Sequence, residues 1–146
     1  MDPRDAVKEL IYTYAEQIDA GDFDGVGQLL GPATLTFEGY DTSVTGVEAI
    51  KAMYERTTRR FDDGTPKTKH LMTNVIVEVD GDGRRASSRS YYTVLHAVPG
   101  SFALAPVISG RYHDTFVCID GTWQFERMHI IVDLMGDLSS HLNQAL

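Results

Sequence analysis

Apolar residues near the start of the chain follow a helical rhythm. Val7, Leu10, Ile11, Tyr14, Ala15 and Ile18 recur at three- and four-residue steps, which is the stripe of an amphipathic helix. Gly21 closes this helix as a residue able to turn left-handed after a helix end. Asp22 is placed to cap a short second helix running through Leu29-Leu30. Thr45-Gly46-Val47-Glu48 has capping-box spacing and predicts a third helix through Ile50, Met53 and Tyr54. Asp62-Asp63-Gly64-Thr65-Pro66 ends it.

From Lys69 onward the rhythm changes to that of strands. Val75-Ile76-Val77-Glu78-Val79 is rich in β-branched residues and runs into Asp80-Gly81-Asp82-Gly83, a hairpin turn. Ala86 to Val98 reads as the returning strand, stopped by Pro99-Gly100, and Val107 to Ile119 as the next. Asp120-Gly121 is a two-residue hairpin turn, Thr122 to Val132 completes the meander, and Thr34 to Glu38 is a short earlier strand. The tail from Asp137 to Leu146 has room for one or two helical turns. Helices followed by an antiparallel meander make an α+β arrangement. A twisted sheet over the leading helices leaves a pocket between the layers.

The chain has 146 residues, enough for one buried core and too few for two, and it shows no linker or repeat. A single domain over 1–146 is expected. The net charge is -8, and the basic runs Arg59-Arg60 and Arg84-Arg85 each lie beside acids. Phosphate recognition needs clustered cations, so nucleic acid and anionic membranes are not expected partners. No segment approaches a membrane span, and the start Met1-Asp2-Pro3-Arg4-Asp5 lacks the basic and apolar regions of a signal peptide. A cytoplasmic location is the expectation. The one cysteine, Cys118, sits in an apolar run that reads as core packing.

Asp19 ends the first apolar stripe, where the helix dipole disfavours a carboxylate. It is therefore either solvated or matched by a donor. His70 heads a strand, and His96 lies deep in another with Tyr92 and Val94 on its face. Each could be a satisfied strand histidine or a catalyst. His113, His129 and His141 complete the imidazoles, but no spacing among histidines, or of Cys118 with them, matches a metal site. No Gly-x-Ser-x-Gly elbow or phosphate loop is present, so neither a metal nor an organic cofactor is expected. Tyr14, Tyr54, Tyr92 and Tyr112 either fill the core or present phenols to a substrate oxygen.

The segment Ile18-Asp19-Ala20-Gly21-Asp22-Phe23-Asp24, the His70 strand and the hairpin Asp120-Gly121-Thr122-Trp123-Gln124-Phe125 together resemble the nuclear transport factor 2-like superfamily. The closer resemblance is to its SnoaL-like polyketide cyclase and scytalone dehydratase branch, over nearly the whole chain. That implies a cone-shaped, cystatin-like α+β roll, with a curled antiparallel sheet wrapped over N-terminal helices. It also implies a homodimer. Scytalone dehydratase uses an Asp at the end of its first helix and two strand histidines, which fall on Asp19, His70 and His96. The lindane dehydrochlorinase of the same fold has an Asp–His pair, its His in a stretch like His70-Leu71-Met72-Thr73-Asn74. Departures are visible too. Ile18 stands where the dehydratase has a tyrosine, a second phenol of that enzyme falls near Gly39 or Tyr40, and a substrate-binding Asn falls near Tyr112. The dehydrochlorinase has a late arginine for which Arg111 and Arg127 are the candidates.

The resemblance implies a cofactor-free lyase of the dehydratase type. Asp19 would orient His70, His70 would abstract a proton alpha to a carbonyl, and His96, Tyr92 or Tyr112 would assist. Met53, Met72 and Met128 would provide an adaptable apolar wall for a small, cyclic or polycyclic substrate. Two alternatives stand beside it: a cyclase or isomerase using the same base, and a non-catalytic module that binds a small molecule or dimerises.

Overall fold

The computed structural model describes residues 1–143. Helix α1 spans Pro3–Asp19, with Asp2 accepting a hydrogen bond from Arg4 N as its cap and Pro3 in the first turn. Helix α2 spans Phe23–Leu30 and is capped by Asp22, whose side chain accepts from Gly25 N at 2.9 Å. Strands β1 (Thr34–Phe37) and β2 (Ser43–Thr45) come next, followed by α3 (Val47–Thr57). Four long strands complete the chain: β3 (Thr68–Val79), β4 (Arg85–Val98), β5 (Phe102–Ile119) and β6 (Thr122–Met135). They form one six-stranded sheet in the order β2-β1-β6-β5-β4-β3.

The α+β class matches the sequence pattern, and the Asp120-Gly121 hairpin forms as expected, with φ of 51° and 82° at its two residues. Several details differ. The sheet is not wholly antiparallel, because β1 pairs parallel to β6. Thr45 caps no helix. It ends β2 opposite Thr34, and the N-cap of α3 is Gly46, with no side-chain cap. Helix α3 stops at Thr57, where the chain becomes extended at Thr58. Residues 137–143 form turns and one isolated bridge rather than a helix, and positions 144–146 of the expected tail helix lie outside the described residues. Cys118 is half-buried rather than core.

Register shifts interrupt β3–β4 at Thr73/Ile76, β4–β5 after Val94, and β5–β6 at Ser109/Gly110 and Thr115/Phe116. Bulges of this kind bend a strand and tighten its twist, so the sheet curls around the helices. Helix α1 lies along β3, α2 packs on α3, and the apolar stripe of α1 enters the core with Val26, Leu30 and Ile50. Phe116 and Phe125, stacked at 4.8 Å between ring centroids, are wholly buried.

Candidate active site

The C-terminal end of α1 is held in place by a close backbone approach. Gly21 has φ of 71°, and a Cβ there would lie 2.0 Å from Gly64 O, so only glycine fits. The Arg60 guanidinium donates to Gly21 O at 3.2 Å from the same side. This clamp sets Asp19, the last residue of α1, against the start of β3.

Three donors from β3 converge on the Asp19 carboxylate. Oδ1 accepts from the Thr68 hydroxyl at 2.8 Å and pairs with His70 Nδ1 at 2.6 Å, while Oδ2 accepts from His70 N at 2.8 Å. The two side chains are 12% and 8% exposed. Burial pushes the carboxyl pKa up, but the hydrogen bond and charge of His70, with the backbone and Thr68 bonds, outweigh it and hold Asp19 below its ordinary value. An ionised carboxylate only accepts, so Nδ1 carries the proton and Nε2 of the neutral ring is bare. Asp19 is therefore partnered rather than solvated.

His70 also forms part of the wall of a cavity of about 230 Å³ between sheet and helices. The wall includes Tyr14 from α1, Met53 and Tyr54 from α3, Tyr92 from β4 and Tyr112 from β5. Phe37, Val94, Ile108 and Ile130 make much of the remainder apolar. Tyr14 and Tyr54 join hydroxyl to hydroxyl at 2.7 Å in a buried bond, which uses one of their two O–H groups and leaves the other for a third acceptor. The Tyr92 hydroxyl donates to Ile131 O at 3.0 Å. Burial raises the pKa of all four phenols, Tyr92 to about 12 and the other three well above the ordinary value, so they stay protonated donors.

Other expected site residues fall outside this wall. His96 is 1% exposed and both its nitrogens are engaged. Nδ1 donates to Lys67 O at 2.8 Å, which leaves Nε2 to accept from the Ser140 hydroxyl at 2.9 Å. Met128 faces inward but pairs with Asp114, two rungs along from the Tyr112–Ile130 pair, and is consumed by core packing. Met72 lies with Tyr12, Ala15 and Glu16 in a groove along the α1–β3 seam, outside the cavity, that also touches Asp19 and His70. Tyr40 is 67% exposed. Arg111 pairs with Asp133, and Arg127 reaches Thr36. His113 and His129 face each other across β5–β6 in a separate depression, with His129 bound to Glu38 at 2.6 Å. Among the described residues no three His, Cys, Asp or Glu side chains gather as a metal site.

Two buried groups had little signal in the sequence. His141, in the tail, is 6% exposed and lines the same cavity. Asp114 follows Tyr112 on the inward face of β5; burial pushes its carboxyl well above the ordinary range, and its Oδ1 has no partner among the described residues. Strand alternation could have marked Asp114 as an acid in an apolar row, whereas nothing periodic points to His141.

The family model described as a SnoaL-like domain matches residues 1–129. No curated protein matches the chain in sequence. Among solved structures, a candidate scytalone dehydratase from Novosphingobium aromaticivorans superimposes with a TM-score of 0.70 at 20% identity, covering 90% of this chain and 85% of its own. An NTF2-like protein with a cystatin-like fold from the same organism gives 0.71 at 20% identity, covering 94% and 85%. ActVI-ORFA from Streptomyces coelicolor gives 0.69 at 18% identity, covering 88% and 95%. At such identities the structural likeness establishes the fold. Among the described residues no helix is long and apolar enough to cross a membrane.

Proposed function

This chain belongs to the SnoaL-like domain family, and from that premise and the cavity chemistry we propose that it is a cofactor-free lyase of the dehydratase type. The observation that carries the reading is the 2.6 Å Asp19–His70 bond on the wall of an apolar cavity. A bare, oriented imidazole nitrogen facing mostly hydrocarbon is suited to removing a proton from carbon. His70 Nε2 takes the proton alpha to a carbonyl, and Asp19 stabilises the imidazolium that results. The C–H electron pair moves into an enolate, whose oxygen accepts the spare O–H of the Tyr14–Tyr54 pair. The β C–O bond then breaks, and the departing hydroxide takes the proton back from His70 and leaves as water. The base ends as it began, and no redox partner is needed.

The roles divide differently from the sequence-level expectation. Asp19 and His70 keep the catalytic assignment, Tyr14, Tyr54, Tyr92, Tyr112 and Met53 contact substrate, and His96 holds the tail in position. A cavity of about 230 Å³ is smaller than the 300 Å³ or more typical of drug-sized ligands, so a one- or two-ring substrate fits better than a larger polycycle. A dimer formed through the outer sheet face remains part of the proposal, on the family resemblance.

The test uses 3-hydroxy-1-tetralone as a probe, since loss of water from it yields fluorescent 1-naphthol. The wild-type protein is expected to accelerate this reaction, and His70→Phe and Asp19→Asn to abolish the acceleration. Equal rates for the wild type and His70→Phe would overturn the reading. Exchange of the alpha proton without water release would favour isomerase or cyclase chemistry on the same base.

A further inference from the structure

The tail crosses the cavity and closes part of it. Leu138, His141 and Leu142 all stand in the wall. Arg59 N donates to His141 O at 2.9 Å, Asn143 N donates to Thr57 O at 2.9 Å, and Leu142 bridges to Thr58. The Ser140 hydroxyl donates to His96 Nε2 at 2.9 Å, so the buried His96 latches the strap one residue before His141. Asp137 Oδ1 accepts from Ser139 N and its hydroxyl, fixing the turn that starts it.

The backbone of His141 is thus tied down on both sides, while its side chain is not. Nδ1 is buried without a hydrogen-bond partner among the described residues. A neutral imidazole always carries one N–H and one bare nitrogen, and both want partners when removed from water. We propose that His141 is a substrate-contacting residue whose imidazole N–H donates to an oxygen of the cavity ligand. This rests on the reading that the cavity accepts a carbonyl-bearing molecule. His141 would then supply, from the tail, a polar contact separate from the His70 base and the tyrosine hydroxyls.

The groups that face His141 agree with a neutral donor. Burial is the main cause holding its pKa at about 4, followed by repulsion from His70 and His96, with Asp19 acting the other way. At neutral pH the ring is uncharged, so it can donate a hydrogen bond without placing a net cation beside the Asp19–His70 pair.

Binding rather than turnover separates this proposal from the lyase reading. The probes are 1-tetralone, which offers a carbonyl oxygen, and tetralin, which has the same rings without it, titrated calorimetrically into the full chain. Replacing His141 by Phe is expected to lower the preference for the ketone over the hydrocarbon about tenfold, the size of one hydrogen bond. His141→Gln, which restores a donor, should keep the preference within about threefold of the wild type. Retained tetralin affinity shows that each variant is folded with its cavity intact. A preference unchanged in His141→Phe, or absent from the wild type, would overturn the proposal. Failure of 3-hydroxy-1-tetralone to dehydrate, with the ketone preference intact and sensitive to His141, would remove the lyase reading and leave this contact standing.

Discussion

Replacing Asp19 by Asn alters the dyad without altering its shape, and the outcome can be worked atom by atom. The carboxylate accepts three hydrogen bonds, one at Oδ2 from His70 N and two at Oδ1 from Thr68 and His70 Nδ1. An amide offers one oxygen and one NH₂ in their place. His70 N can only donate, so the amide oxygen must take the Oδ2 position and the nitrogen the Oδ1 position. The NH₂ then donates to Nδ1, and the Thr68 hydroxyl turns round to accept. Nδ1 can accept only if the ring proton sits on Nε2, which is the nitrogen that must be bare to act as a base. Stability should fall by only about 1–3 kcal/mol, since charge-assisted bonds become neutral ones. Turnover should fall by about 10³–10⁴-fold, or roughly 4–5 kcal/mol of barrier, as when an Asp–His pair loses its orienting charge. A long-range proton–nitrogen correlation spectrum of labelled protein reads the tautomer with no substrate present. Nδ1–H in the wild type and Nε2–H in Asp19→Asn are expected. An Nε2–H wild type, or a variant that keeps Nδ1–H, would refute the reasoning.

The other expected effects are simpler to state. His141 has a depressed folded-state pKa near 4 against an ordinary 6.5, so the unfolded chain binds more protons between these values and stability is lost as pH falls through that window. From pH 7 to pH 5 this amounts to about 2 kcal/mol, measured as a drop in urea midpoint that His141→Phe should lack; parallel curves for both proteins would contradict it. Tyr54→Phe leaves the buried Tyr14 hydroxyl without its 2.7 Å partner, costing about 1–3 kcal/mol in denaturant titration. It should also slow 1-naphthol formation from 3-hydroxy-1-tetralone by about tenfold or more, and an unchanged rate would remove the phenol pair from the mechanism. Gly21→Ala forces a Cβ to within 2.0 Å of Gly64 O at a left-handed φ. It should destabilise by several kcal/mol and loosen the Asp19 end of α1, seen as faster amide exchange at Asp19 and His70.

Periodicity placed Asp19 at a helix end and His70 at the head of a strand, but only the family resemblance paired the two. The three- and four-residue stripe ran out at Ile18, leaving Asp19 at a helix end, and the strand pattern began around His70. Those rules place residues along elements but say little about depth across the sheet. His96 and Tyr92 share a face of β4, yet one is locked between Lys67 and Ser140 while the other reaches the cavity. Met128 lies off the cavity wall for the same reason, two rungs beyond the Tyr112–Ile130 pair that lines it. Thr45 carried a true capping-box spacing, but pairing with Thr34 claimed it for a three-residue strand too short to show a period. The parallel β1–β6 pair and the strap carrying His141 depend on contacts between distant segments, which no local pattern encodes.

The central claim is that His70 removes a proton from carbon next to a carbonyl, and exchange at a ketone that cannot eliminate isolates that step. 1-Tetralone in deuterium oxide, followed by proton NMR at its alpha carbon, should exchange faster with the wild-type protein than in buffer, and His70→Phe should return the rate to that of buffer. Equal exchange with the wild type and His70→Phe would contradict the account, whatever the distance between Asp19 and His70.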